Sequence, residues 1–186
     1  MVKICLDPGH GGKDPGAVGP NNLKESEVVL LAAHIIKSEL KDKQKMIMTR
    51  TSDVQVPLAN RAEFANREGA DFFVSLHCNA FIDPAANGIE TYHFPGSDIG
   101  KDLATAIQKD LVNATGLRNR GVKEGRFFVL KQTQMPAVLV ELAFISNPEE
   151  ERLLGSVPWV VNAARAIART VSKFAEGGAN QDGITY

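Results

Sequence analysis

Four side chains in this sequence of 186 residues have the types and settings that hydrolytic chemistry uses: His10, Glu25, His77 and Glu141. His10 lies in "LDPGHGGKDPGA", residues 6–17, where Gly9, Gly11, Gly12 and Gly16 surround it just after an apolar start. Such a stretch invites a phosphate-binding reading, and its spacing rejects one. A phosphate loop needs G-x-x-x-x-G-K-[ST], but the residue five before Gly12 is Asp7, and Lys13 is followed by Asp14. The dinucleotide fingerprint G-x-G-x-x-G, aligned on Gly9 and Gly11, meets Asp14 at its third glycine, and Pro15 would interrupt the helix expected there. What remains is a flexible turn after a strand, carrying one metal-capable side chain.

His77 ends the apolar run "DFFVSLHCNA" and is expected at the same carboxyl rim, where open α/β sheets place their sites. Glu25, in "NNLKESEVVL", lies just before the first helix, which returns from the loop that bears His10. Two histidines and one carboxylate leave a fourth zinc position for water, the arrangement of hydrolytic zinc sites. Taken singly, each has a plainer reading: a solvated rim histidine, or a first-turn charge complementing the helix dipole. Glu141 adds weight, because "PAVLVELAFISNP" sets a carboxylate inside an apolar strand, which is costly unless the group is paired or functional. Beside zinc it would serve as general base and then general acid, its pKa raised by burial and lowered by the cation. A structural salt bridge is the alternative.

These residues need elements to position them. Apolar runs bounded by Gly or Pro alternate with stretches of helical period, which predicts an α/β single domain: a mostly parallel twisted sheet of about six strands with helices on both faces. Strands are expected near 2–7, 45–50, 71–77, 88–94, 127–131 and 137–142. The helical stretches are 26–41, with Val28, Leu31 and Ile35 on one face; 57–68, with Leu58, Ala62 and Ala65; and 98–115, with Leu103, Ile107 and Leu111. "NPEEERLL" and "PWVVNAARAIARTVSKFA" each carry Pro near a helix start. The catalytic domain is expected over 1–175, and "EGGANQDGITY", 176–186, as a flexible tail.

Composition narrows the partners. Lys plus Arg (21) nearly balances Asp plus Glu (22), so the basic face of a nucleic-acid binder is absent in aggregate. Cys5 and Cys78 have no C-x-x-C spacing and are expected to be buried small hydrophobes. The start "VKICLDP" has no export-signal pattern, and no run reaches the roughly 18 apolar residues of a membrane span, so a soluble chain without a membrane partner is expected.

In order along the chain, "DPGHGGKDPGA", "LKE", "TR" followed by "LANRAEFAN", "ADFFVSLHCNA", "GIETY", "NRGVK" and "MPAVLVELAFISNPEEERLL" resemble the zinc-dependent N-acetylmuramoyl-L-alanine amidases of the amidase-3 type, bacterial cell-wall hydrolases. The resemblance runs to about Leu154. It implies one zinc ion held by His10, Glu25 and His77, with Glu141 as the catalytic carboxylate. It implies cleavage of the amide between the lactoyl group of N-acetylmuramic acid and the L-alanine of the peptidoglycan stem peptide, with nothing covalent formed. It further implies a monomer at the cell wall or outside the cell, with wall-targeting modules beyond this sequence. Glu90 and Asn79 match family positions and are expected to support the site or touch substrate, whereas Arg50, Arg61 and Arg120 are expected to form structural ion pairs. His34 is expected to be solvated and His93 to lie outside the ligand set.

Some relatives carry an inserted helix that blocks the zinc; here "NAFIDPAANGIETY" follows His77 directly, so an open site is expected. Two other readings compete. A zinc carboxypeptidase usually brings its ligands together as H-x-x-E, whereas fourteen residues separate His10 from Glu25. A non-catalytic peptidoglycan-binding module with structural zinc would close the site with a fourth protein ligand and leave Glu141 unexplained.

Overall fold

The protein is described by a computed structural model over residues 1–178. Its strands are β1 (Lys3–Pro8), β2 (Lys45–Met48), β3 (Phe72–Asn79), β4 (Ile89–His93), β5 (Asn119–Glu124) and β6 (Ala137–Phe144). Its helices are α1 (Glu25–Leu40), α2 (Leu58–Arg67), α3 (Asp98–Thr115), α4 (Phe128–Gln132), α5 (Pro148–Leu154) and α6 (Val157–Gly178). The strands form one sheet in the order β2-β1-β3-β6-β4-β5. The pairs β1–β2, β1–β3, β3–β6 and β4–β5 are parallel, and β4 runs antiparallel to β6. The strand order reverses between β1 and β3, and the carboxyl ends beside such a switch point form the crevice where α/β sheets bind ligands.

Strand alternation sends residues to two cores. Ile4, Leu6, Val74, Leu76, Val138, Val140 and Leu142 join the face shared with residues of α1, α3 and α6. Cys5, Phe73, Ala137 and Leu139 join the other face, with Ala65 of α2 and Val129 and Leu130 of α4. The second layer consists of helices of 10 and 5 residues, whose partners lie in the amino-terminal halves of the parallel strands. His77 and Glu141 follow the same alternation as Phe73 and Leu139, so they stand on this thinly covered face, farther toward the carboxyl end.

Several sequence expectations need correction. The expected strand at 127–131 is helical turn α4, because the four-residue apolar run Phe127–Leu130 fits a short buried helix as well as a strand. The sixth strand is β5, an edge strand whose residues are exposed or half-buried and so lack an apolar signature. Helix α1 buries Val28, Val29, Ala32, Ala33, Ile36 and Leu40, while Leu31 is exposed and Ile35 only half-buried. Buried Glu25 lies on that same face, so aiming its carboxylate at the sheet rotates the alanines inward. In α2, Ala62 and Ala65 are buried but Leu58 is exposed, whereas Leu103, Ile107 and Leu111 of α3 are all buried. Cys5 and Cys78 are both buried and free. Helix α6 continues through residues 176–178 of the expected tail, and the remainder of that tail lies outside the described residues.

The α5 glutamates fasten loops around the crevice. Glu150 accepts the backbone N–H groups of Gly88 (2.8 Å) and Phe144 (2.6 Å). Glu151 accepts Asn21 N–H at 2.8 Å, Leu23 N–H at 3.3 Å and the Asn21 amide at 2.7 Å, fixing the approach to α1. Both glutamates are buried, so losing either orphans two backbone donors. Glu151→Ala is therefore expected to destabilise the protein by about 1–3 kcal/mol, read as a lower urea midpoint with an unchanged slope. An unchanged midpoint would show that the 19–23 loop does not depend on this anchor.

Candidate active site

The His10 turn is held from behind by two buried arginines. Arg61 pairs with buried Asp7 at 2.8 Å and donates to the carbonyls of Pro8 (2.7 Å) and His10 (2.7 Å). Arg50 donates to the carbonyls of Pro8 (2.9 Å), Gly9 (2.7 Å) and Ser26 (2.8 Å), tying the turn to the first residues of α1. Asp7 is completed by the hydroxyls of Thr49 (2.7 Å) and Ser75 (2.8 Å). Only Arg61 of this pair forms an ion pair; the donors of Arg50 go to backbone carbonyls, correcting the ion-pair expectation for that residue. This cage keeps His10 at φ 59, a left-handed conformation uncommon for a side-chain-bearing residue.

Three segments converge on one carboxylate. Glu25 Oε1 lies 3.2 Å from His10 Nε2 and 2.8 Å from His77 Nδ1, and it also accepts Cys78 N–H at 3.0 Å. Glu25 Oε2 accepts Ala17 N–H at 2.9 Å. One donor atom from each of His10, Glu25 and His77 lies within 4.8 Å of the others, the scale of a shared ion with bonds of roughly 2.0–2.2 Å. His10 Nδ1 donates to Asp14 Oδ2 at 2.8 Å, an arrangement that leaves Nε2 for a metal and fixes the ring. Asp14 was not singled out from the sequence; its position four residues after His10 in a glycine turn is the signal that could have found it.

Two glycines leave the room these side chains fill. A Cβ on Gly9 would come within 2.3 Å of the His77 ring. One on Gly16, at φ 70, would come within 2.6 Å of Glu25 Oε2 and 2.7 Å of the His10 ring. The donor set, its packing and its second carboxylate therefore fit a divalent cation.

Protonation behaves as expected for a site built around positive charge. The hydrogen bond to Glu25 outweighs partial burial and raises the His10 pKa to about 9. Burial would lower His77, but its bond to Glu25 and the nearby carboxylates raise it. Burial works against ionised Glu25, yet both histidines hold its pKa well below the usual carboxylate range.

Glu141 stands opposite His77 in the β3–β6 register, and Glu90 stands opposite Glu141 in the β6–β4 register. Glu141 makes no ion pair among the described residues, and its Oε2 is buried without a hydrogen-bond partner. Burial, with Glu25 and Glu90 nearby, pushes its pKa up to about 7 despite the opposing pull of His77. Glu90 binds Arg120 Nε at 2.9 Å, Lys123 Nζ, the Tyr92 hydroxyl and the Asn79 amide. Arg120 thus forms the expected ion pair, while Asn79 and Glu90 join the support beside Glu141. His34 is exposed with Nε2 3.0 Å from the Thr51 carbonyl oxygen. His93 is buried at the carboxyl end of antiparallel β4, which lies at the opposite rim.

A parallel-sheet rim with this donor set and an unpaired glutamate beside it has the make-up of a metal-dependent hydrolase. Residues 4–173 match the Amidase_3 family, described as N-acetylmuramoyl-L-alanine amidase, and the chain belongs to this zinc-dependent family. It is 32% identical to N-acetylmuramoyl-L-alanine amidase AmiA of Escherichia coli, over 92% of this chain and 75% of that protein. It is 37% identical to the sporulation-specific N-acetylmuramoyl-L-alanine amidase of Bacillus subtilis, over 90% of this chain and 66% of that protein. The catalytic domain of CwlV, an N-acetylmuramoyl-L-alanine amidase from Bacillus (Paenibacillus) polymyxa var. colistinus, superposes with a TM-score of 0.91 at 35% identity, covering 95% of this chain and 99% of that one. The AmiA alignment spans 217 positions against 186 residues in this chain, so AmiA carries insertions that this chain lacks. The connection from β3 to β4 runs from residue 80 to 88 and contains no helix.

The raised His10 pKa has a signed consequence for metal-free protein. The folded state keeps a proton that the unfolded chain releases above about 6.5, so this stabilisation is complete below 6.5 and disappears as pH rises through about 9. Thermal melts in chelator are expected to show a melting temperature that falls across that interval, and His10→Ala is expected to flatten the fall. An equal slope in the variant would place the titration elsewhere.

Proposed function

We propose that this protein hydrolyses the amide between the lactoyl group of N-acetylmuramic acid and the L-alanine of the peptidoglycan stem peptide, with His10, Glu25 and His77 holding one zinc ion and Glu141 moving the proton. The observation that carries the reading is the buried, unpartnered Glu141 Oε2, in register beside His77 and its metal-capable neighbours. When bound, zinc supplies Lewis-acid polarisation of the amide carbonyl and makes water acidic enough to react near neutral pH.

The chain's own residues do the rest. Asp14 fixes the His10 ring, and the Arg50–Arg61 cage fixes its backbone. Glu141 Oε2 accepts a proton from the attacking water and delivers it to the nitrogen of the leaving alanine. A carboxylate near 7 suits both transfers at neutral pH, and a cation among the neighbouring donors pulls it toward the base form. Asn79 at the end of β3 and Glu90 on β4 support this neighbourhood from the strands on either side of β6. The His10 and His77 side chains are 26% and 19% exposed, which supports direct access for an extended glycan-linked peptide. We infer a monomer acting at the cell wall. Its formal charge of -1 gives little general attraction to an anionic or cationic polymer, so wall targeting falls to other segments.

Purified peptidoglycan incubated with the protein is expected to release stem peptides bearing a free L-alanine amino terminus. Glu141→Gln is expected to keep its zinc while losing about 10²- to 10⁴-fold in rate, whereas alanine at His10, Glu25 or His77 is expected to lower zinc content itself. Near wild-type turnover by Glu141→Gln, or new carboxyl termini within the peptide in place of free L-alanine, would contradict the assignment.

A further inference from the structure

Next to Glu141, on the side away from the metal-capable donors, two cations meet one carboxylate. The β4–β5 register steps from Ile89↔Asn119 to Thr91↔Val122, so β5 carries an extra residue there, with Gly121 at φ 87. In a regular strand, residues three apart point to opposite faces. The bulge instead brings Arg120 and Lys123 onto the same oxygen, Glu90 Oε2. Its other oxygen already accepts from Tyr92 and Asn79.

Glu90 draws both cations inward, and Glu150 lies within Coulombic range of Arg120 as well, but the free faces of the two cations look outward: the Glu90 side chain is 4% exposed, against 27% for Arg120 and 37% for Lys123. Among the described residues, Arg120 spends Nε on Glu90 and Nη1 on the Asn87 carbonyl (3.3 Å), while Nη2 makes no hydrogen bond. Its guanidinium lies 4.8 Å over the Phe144 ring, which fixes the plane of those donors.

We propose that Arg120 and Lys123, gathered on Glu90, form a subsite for a substrate carboxylate on the amine side of the scissile bond. The proposal rests on the amidase reading and names what that same site recognises. The register places His77, Glu141 and Glu90 on adjacent strands on one face, at steps of roughly 4.8 Å. The leaving nitrogen must lie beside Glu141, which protonates it, and an extended peptide reaches the next residue's carboxylate within about 7 Å of that nitrogen. The cation pair, drawn back over Glu90, stands at that reach. The ligand class is therefore a stem peptide whose second residue keeps a free carboxylate, bound by charge-assisted hydrogen bonds.

The test compares N-acetylmuramoyl-L-alanyl-γ-D-glutamyl-L-alanine amide with its D-isoglutaminyl counterpart; the γ-carboxyl is in peptide linkage in both, so the two differ only in a free or amidated α-carboxylate on the second residue. Wild-type protein is expected to show a KM about tenfold lower for the acid, the low end of the scale for one charge-assisted hydrogen bond. Lys123→Gln avoids disturbing the packing of Arg120 on Phe144; it is expected to raise KM for the acid alone, leave kcat unchanged and bring the two substrates within about twofold. Lys123→Arg is expected to restore the preference. If neither compound is cleaved, calorimetric titration of both into the same proteins still decides: tighter binding of the acid, lost in Lys123→Gln, upholds the subsite and counts against the amidase reading. Equal KM and equal affinity for the two compounds, or an equal loss on both in Lys123→Gln, would overturn the subsite and leave the cations as counter-ions of Glu90.

Discussion

The site depends on one oxygen atom. Glu25 Oε1 is within hydrogen-bonding range of a ring nitrogen of His10, a ring nitrogen of His77 and the backbone N–H of Cys78, so it fixes the start of α1 against the ends of β1 and β3. A buried carboxylate is costly unless its lone pairs are used, and here both oxygens are engaged. The same arrangement concentrates negative potential where two imidazoles meet, which favours the protonated form of both histidines in the absence of a cation. A divalent cation competes with those protons for the same donors, so metal binding and protonation are linked at this point.

The rest of the fold makes that convergence possible. A glycine-rich turn can bring a histidine ring against Glu25, but left alone it would sample many conformations. Arg50 and Arg61 restrict it by binding the carbonyls of three successive residues, Pro8, Gly9 and His10, and Asp7 balances the charge of Arg61. These arginines act on the backbone behind His10, and through it they set where the ring lies. The two layers flanking the sheet differ in the same direction. Long helices α1, α3 and α6 supply most of the core, while α2 and α4 are short and pack on the amino-terminal half of the opposite face. The His77, Glu141 and Glu90 row lies beyond that short layer.

Much of this was legible in the sequence because it follows from residue type and strand direction. Helix α3 was expected over 98–115 and spans Asp98–Thr115, since its apolar period and its glycine stop at Gly116 agree. His10 and His77 are expected at one rim because His10 sits in the turn that follows the first strand and His77 ends an apolar run, and parallel β1 and β3 bring them there. Asp14 was not legible, because its role depends on the three-dimensional path of a turn with several positive φ angles. β5 was missed because a bulge breaks its alternation and its edge position leaves it half-buried. The face of α1 was misjudged by about one residue, since Leu31 outweighs alanine in hydrophobicity while Glu25 decides which side turns inward.

The most direct measurement is the position of the ion itself, from a crystal of zinc-loaded protein with anomalous data collected on both sides of the zinc edge. One zinc peak is expected within roughly 2.0–2.2 Å of His10 Nε2, Glu25 Oε1 and His77 Nδ1, with Glu141 outside bonding distance and aimed at the remaining light-atom ligand. A zinc peak elsewhere, or one bound directly by Glu141 or Cys78, would contradict the division of labour between three metal donors and one proton-carrying carboxylate.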